Sequence, residues 1–238
     1  DRIVPYFQPI VDNATQKIVK YEALARIIEN NKAITPNHFI EPAKLVGLLP
    51  SITKVIMEKS CAMFAKRSEP FSINITEEDL QNRNFSSMMK HLGEKYGIEP
   101  SRVTLEILEN ISANGTDESI KQLHELSRMG YTIAIDDFGS DKSNFYRIHS
   151  MHVDIIKIDA AYIQDIDRNK TSELIVKTIV SLAQAMGIPT VAEYVSSEAI
   201  YHKVKEMGIN YSQGYYFGEP VPNVIEESIE SMTRRAES

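Results

Sequence analysis

Val103-Thr104-Leu105-Glu106-Ile107-Leu108-Glu109, the helical stretch Asp117–Met129, then Gly130 and Tyr131-Thr132-Ile133-Ala134-Ile135-Asp136-Asp137 together form the unit that decides the fold. A short apolar run rich in β-branched residues gives way to a helix-period pattern, a glycine and a second apolar run. Glycine at a helix end supplies the left-handed turn that stops the helix. Two strands separated by a helix pair in parallel, because only a long crossover returns the chain to the same edge. Working outward, strand-like runs occupy Pro5–Val11, Ile18–Ile27, Phe71–Ile75, Asp154–Ile158, Pro189–Ala192 and a short stretch near Tyr211. Helix-like stretches occupy Pro36–Leu48, Ile52–Lys66, Ser86–Tyr96, Ser172–Met186 and Ser197–Met207, with Val221–Arg235 as a closing helix. Gly187 and Gly208 stand where Gly130 stands, and Thr35-Pro36 puts a cap residue before a first-turn proline. About eight strands in a chain of this length favour closure into a barrel.

One connection breaks the rule. Asn13-Ala14-Thr15-Gln16 is too short for a parallel crossover, so the first strand runs antiparallel to the second. The expected fold is therefore α/β, a modified TIM-type (β/α) barrel with an antiparallel first strand, as a single domain over residues 1–238. The chain opens on Asp1 rather than Met, and the expectation is a fragment of a longer protein.

Composition excludes several classes. Of 238 residues, 42% are hydrophobic and 25% charged, which is globular rather than disordered. No run approaches the roughly 18 apolar residues of a membrane span, so no membrane contact by this domain is expected. Cys61 is the single cysteine, which rules out an internal disulfide and a cysteine-based zinc site and makes a cytosolic setting the default. The six histidines form no HxH or HxxxH pair. Lys and Arg number 26 against 33 Asp and Glu, a net charge of −7 without a basic stripe, which argues against a DNA or RNA polymer as partner.

The chemistry is at the strand ends. Glu22, Asn74, Glu106, Asp136-Asp137, Lys157 with Asp159, Glu193 and Gln213 each close an apolar run. In a (β/α) barrel those ends converge on one mouth. Strand alternation puts Glu22, Leu24 and Arg26 on one side, and Lys157 with Asp159 on one side. Five acids there cannot all ionise without compensating charge. An oxygen-only set, carboxylates plus the Asn74 carbonyl, suits hard cations such as Mg²⁺ or Mn²⁺ better than Zn²⁺. More than one ion would suit a displacement at phosphorus. Singly, each residue has a plainer reading: a solvated Glu, a turn Asn, a capping Asp, a snorkelling Lys. Met57, Met63, Met88, Met89 and Met186 read as packing, and Glu77-Glu78-Asp79 as a helix start.

The ordered series Phe7–Asp12, Glu22-Ala23-Leu24-Ala25-Arg26, Phe39–Leu48, Ser72–Ile75, Leu105–Glu109, Asp136–Gly139, Val153–Asp159, Val191–Val195 and Gln213–Pro220 resembles the EAL domain family, bacterial phosphodiesterases of cyclic di-GMP. The resemblance implies metal-dependent hydrolysis of cyclic di-GMP to linear pGpG, with two ions of Mg²⁺ or Mn²⁺. It implies metal ligation by Glu22, Asn74, Glu106, Asp136 and Glu193, with Asp137 on the second ion. Lys157 would contact the attacking water, as the lysine often called the family's general base, and Asp159 would support the metals. Gln8, Arg26 and Gln213 would bind substrate, and Glu109 would steady the loop that follows Asp136–Gly139. That loop and its following helix imply a homodimer contact. Two segments depart from the family pattern. Asp141-Lys142 replaces Gly-Tyr after Asp136-Asp137-Phe138-Gly139-Ser140, and Ala192-Glu193-Tyr194-Val195-Ser196 replaces Ala-Glu-Gly-Val-Glu. They keep open a second reading, a catalytically weakened cyclic di-GMP receptor or dimerisation module.

Overall fold

In the computed structural model, the residues described are 2–109, 111, 115–139 and 151–224. The expected closing helix beyond Val224 and the Asp141-Lys142 segment lie outside them. Strands β1 (Ile3–Asp12) and β2 (Ile18–Glu29) form an antiparallel hairpin in which Gln8 faces Glu22. The turn between them is held by the Asp12 carboxylate, which accepts from the backbone N–H groups of Ala14 and Thr15. The minor strand β3 (Lys32–Ile34) folds back on the end of β2. Then follow β4 (Phe71–Asn74), β5 (Val103–Leu108), β6 (Thr132–Phe138), β7 (Ile155–Ile158), β8 (Thr190–Ala192) and β9 (Tyr211–Gln213). Each pairs in parallel with the next, from β2–β4 through β8–β9, and β9 closes antiparallel on β1. Eight strands thus form a closed mixed barrel, and the antiparallel member is the first, as the short connection required.

Helices α1 (Ile40–Leu45), α2 (Leu49–Phe64), α3 (Glu77–Gln81), α4 (Phe85–Tyr96), α5 (Asp117–Arg128), α6 (Ala160–Ile163), α7 (Lys170–Met186) and α8 (Glu198–Glu206) cover the outside. α2 buries Leu49, Ile52, Ile56, Met57, Cys61 and Phe64, a stripe at three- and four-residue spacing. Phe64 stacks on Phe71 of β4 at 4.8 Å between ring centroids and meets Phe7 of β1 edge-on at 5.3 Å. Those contacts seal the strand that runs the wrong way. Glu77-Glu78-Asp79 is a helix start, closed by a reciprocal capping box between Thr76 and Asp79. Met57 and Met89 are fully buried, and Met63, Met88 and Met186 pack against the core. Among the described residues no helix is long and apolar enough to cross a membrane.

The expected helix over Pro36–Leu48 is broken. Pro36–His38 is a 3₁₀ turn, and the Thr35 side chain makes no cap hydrogen bond. Pro42 has no N–H to give to residue 38, so α1 begins at Ile40, where Pro42 falls in the first turn. Gly47, at φ +68°, ends it.

Candidate functional site

Lys157, on β7, is the centre of the site and is 1% exposed. Its ammonium lies 2.6 Å from Glu106 Oε2, 2.7 Å from Asp136 Oδ1, 2.8 Å from Glu193 Oε1 and 3.5 Å from Glu22 Oε2. The snorkelling reading fails, because a lysine on the inner face of a closed barrel has no route to solvent. The acids reach it from β2, β5, β6 and the end of β8, which is the convergence that the strand ends imply. Asn74, at the end of β4, donates to Glu22 Oε1 at 2.8 Å and lines the cleft. Gln213 Nε2, from β9, donates to Glu22 Oε2 at 2.6 Å and to Gln8 Oε1 at 3.1 Å. The hairpin register that sets Gln8 opposite Glu22 makes this three-residue cluster possible.

Asp136 and Asp137 both line the cleft, although consecutive strand residues point to opposite faces. The β6–β7 register shifts between Ile135 and Phe138, and Asp137 sits at φ +53°. This bulge turns the second carboxylate toward the mouth. Oxygens of Asp136, Asp137 and Glu193 come within 4.8 Å of one another. The strand then hands over to a clamped turn. Glu109 Oε2 accepts from Gly139 N–H at 3.0 Å, and the Tyr162 hydroxyl donates to Gly139 carbonyl at 2.7 Å.

Two expected site residues stand apart from the cluster. Asp159 Oδ1 accepts from Ala161 N–H at 2.7 Å and caps α6, reaching Asp137 only through its charge. Arg26 is buried, donates to Ala25 carbonyl at 2.8 Å and lies 5.5 Å from the centroid of the Tyr6 ring. Residue reading missed three others. Tyr194 and Tyr215 line the cleft beside Glu193 and Gln213. Lys20 shares the barrel interior with Glu22 and donates to Thr104 Oγ1 at 2.5 Å. Strand alternation already put Lys20 on the Glu22 side.

The charge distribution is strained. Burial pushes the Glu106 carboxyl up to about 8, with the Glu22 charge adding to it and Lys157 opposing. Burial and the Asp136 charge hold Glu193 well above the usual range. Burial, then Asp136 and Asp159, raise Asp137 to about 6. For Glu22 burial works the same way, but Lys157 and the hydrogen bonds from Gln213 and Asn74 outweigh it and its pKa is lowered. Burial alone would depress Lys157. The acids around it, Asp136 and Glu106 foremost, overcome this and keep it protonated.

A hard divalent cation fits this arrangement. An ammonium has three protons, and four carboxylate oxygens lie within 3.5 Å of Lys157. Asp136 Oδ1 is buried without a well-aligned hydrogen bond, despite its contact with the ammonium. The atoms that Asp136, Asp137 and Glu193 bring within 4.8 Å of one another are carboxylate oxygens, which suit a hard divalent cation. Glu22, Asp136, Asp137 and Glu193 open onto a cleft of about 940 Å³ that Ile40, Leu49, Ile52 and Ile56 also line, whereas Glu106 and Lys157 line a smaller cavity with Lys20 and Thr104. That volume admits a dinucleotide-sized ligand.

Comparison with known proteins agrees with the geometry. The model of the EAL domain family matches residues 1–220. The probable cyclic di-GMP phosphodiesterase PdeA of Escherichia coli is 31% identical over 206 residues, 84% of this chain and 28% of that protein. The cyclic di-GMP phosphodiesterase PdeB of Shewanella oneidensis is 30% identical over 229 residues, 93% of this chain and 27% of that protein. The chain therefore spans about a quarter of the length of these relatives. The solved structure of the PaMucR phosphodiesterase in complex with c-di-GMP superposes with a TM-score of 0.88 at 26% identity, covering 93% of this chain and 92% of that one.

Proposed function

The chain belongs to the EAL domain family, and we propose that it hydrolyses one phosphodiester of cyclic di-GMP to linear pGpG with the help of two divalent cations. The observation that carries this reading is the gathering of four carboxylates around the buried Lys157 ammonium, with three of them, Glu22, Asp136 and Glu193, opening with Asp137 and Asn74 onto a dinucleotide-sized cleft. Bound Mg²⁺ or Mn²⁺ would supply Lewis acidity toward phosphoryl oxygen and would acidify water. Glu22, Asn74, Glu106, Asp136 and Glu193 would hold the ions, with Asp137 serving the second.

The protein's own groups have distinct tasks. Lys157 stays protonated, donates toward the attacking water and stabilises negative charge as it develops on phosphorus-bound oxygen. Gln8 and Gln213 form a fixed polar wall beside Glu22. Arg26 leaves its perch over Tyr6 to clamp a phosphate, a task suited to its planar fork. Glu109 anchors Gly139 and so fixes the bulge that aims Asp137. Asp159, which caps α6, would serve as a supporting acid near the ions. In the reaction, water oxygen bonds to phosphorus and the bond to one ribose 3′ oxygen breaks, which leaves a 5′-phosphate on the linear product.

A cytosolic setting and a homodimer complete the proposal. The segment to which the resemblance assigns the dimer contact includes residues 140–150, outside those described, and light scattering measures the oligomeric state directly. The activity is tested by incubation with cyclic di-GMP and Mg²⁺ or Mn²⁺, followed by chromatography. Appearance of pGpG that stops on chelation supports the reading. Retention of intact nucleotide by the protein, without turnover, would make the domain a receptor instead.

A further inference from the structure

Tyr194 sits where the backbone costs most and the ring has least to hold. Its φ is +56°, a conformation that glycine adopts freely and an aromatic residue rarely does. The strain persists because neighbours impose it. Val195 N–H donates to Gln213 carbonyl at 3.0 Å, and Tyr216 N–H donates to Val195 carbonyl at 3.0 Å. Gly214 lies so close beneath that a Cβ there would overlap the Val195 backbone. The turn is therefore a rigid platform, and Tyr194 is its summit. The residue is 57% exposed and lines the cleft, and among the described residues its side chain has no hydrogen-bond partner. It adjoins Glu193, whose carboxylate belongs to the acid cluster. Tyr215, 63% exposed, lines the same cleft.

Strain at a clamped, solvent-facing position gains nothing for folding, and an exposed aromatic ring gains little. A flat, unpartnered ring beside a phosphate-handling centre is the surface on which a nucleobase stacks. We propose that Tyr194 is a substrate-binding residue, whose ring stacks on one purine base of the substrate. This rests on the reading of the site as a cyclic dinucleotide phosphodiesterase. A stacked base contributes equally before and during the reaction, so its loss raises KM and spares kcat. Alanine-scale losses of base stacking correspond to about a tenfold weakening.

The test uses three variants of the full chain. Tyr194→Gly relieves the strain, so it folds and its Tm rises by roughly 2–4 °C. Its KM for cyclic di-GMP is expected to rise about tenfold with kcat unchanged, and Tyr194→Phe is expected to restore the parent KM. The protein contains no tryptophan, so Tyr194→Trp places a single indole at the proposed contact. Addition of cyclic di-GMP in Ca²⁺, whose looser coordination geometry is expected to block turnover, is expected to quench its fluorescence, as stacking on guanine does. Unchanged KM in Tyr194→Gly, or an indole unmoved by saturating nucleotide, would overturn the stacking role while leaving the phosphodiesterase reading intact. Failure of the parent protein to bind cyclic di-GMP would instead remove the reading on which the role rests, and the role with it.

Discussion

Replacing Lys157 with methionine removes the ammonium and keeps the length of the side chain. In the absence of divalent cations its effect on stability follows from the distances. Three carboxylate oxygens lie within 2.8 Å of Nζ and a fourth at 3.5 Å, and the side chain is 2% exposed. Each close pair represents about 4–6 kcal/mol of gross attraction at an effective dielectric of about 20. That gross sum is never realised, because the orphaned acids take up protons. Breaking a buried ion pair on one side costs about 3–5 kcal/mol net. In a chain of this size that lowers Tm by roughly 6–20 °C. The cost depends on pH. At pH 8 the acids must be protonated against the solution, whereas at pH 5 their protonation is nearly free. The assay is urea unfolding of Lys157→Met and its parent in chelator at both pH values. The expected result is a loss of about 3 kcal/mol or more at pH 8 that shrinks by at least half at pH 5. A loss under about 1 kcal/mol at pH 8, typical of an exposed pair, or the same loss at both pH values would refute the reasoning.

Other outcomes follow from the same site. In chelator, the parent is expected to lose stability as pH rises from about 5 to 8. The raised carboxyls of Glu106, near 8, Asp137, near 6, and Glu193 hold protons in the folded state that the unfolded chain has released. Glu22, whose pKa is lowered, works in the opposite sense, but only below its unfolded value of about 4.5. Urea midpoints across this range check the slope, and saturating Mn²⁺ should flatten it, because cation binding favours the ionised acids. Lys157→Ala is expected to lose most turnover while binding of cyclic di-GMP persists, and Lys157→Arg to retain a measurable part, since arginine stays protonated. Product chromatography with a parallel binding titration separates those effects. An inactive Lys157→Arg would return the general-base role to consideration. Phe64→Ala should cost about 3–5 kcal/mol through the cavity left between α2 and the reversed strand, read as a shift in urea midpoint without a change in its slope.

Much of this was legible in the residues, for identifiable reasons. The four-residue connection after β1 allowed only an antiparallel first strand, and the strand–helix alternation around Glu106 and Asp136 allowed only parallel ones thereafter. Polar residues that end apolar runs named the cluster, because a barrel gathers strand ends. Conformation that does not follow from period stayed hidden. The bulge at Asp136-Asp137 breaks alternation, so the sequence showed two adjacent acids without showing that both face the cleft. Alternation placed Arg26 on the Glu22 side, but its long side chain turns back on Ala25 and Tyr6. Asp159 shares a strand direction with Lys157, yet one residue past the strand it is already capping a helix. Pro42 and Gly47 together break the stretch before α2, which helical period alone does not show.

The central claim is that the acids around Lys157 hold divalent cations and that water then attacks phosphorus at this site. The most direct measurement is mass spectrometry of the product formed from cyclic di-GMP in heavy-oxygen water, with Mn²⁺, with chelator, and with Glu22→Ala in Mn²⁺. The expected products are pGpG carrying one heavy oxygen on its 5′-phosphate in the first case, and intact cyclic di-GMP in the other two. Intact cyclic di-GMP in the presence of Mn²⁺, or undiminished labelled pGpG in excess chelator, would contradict it.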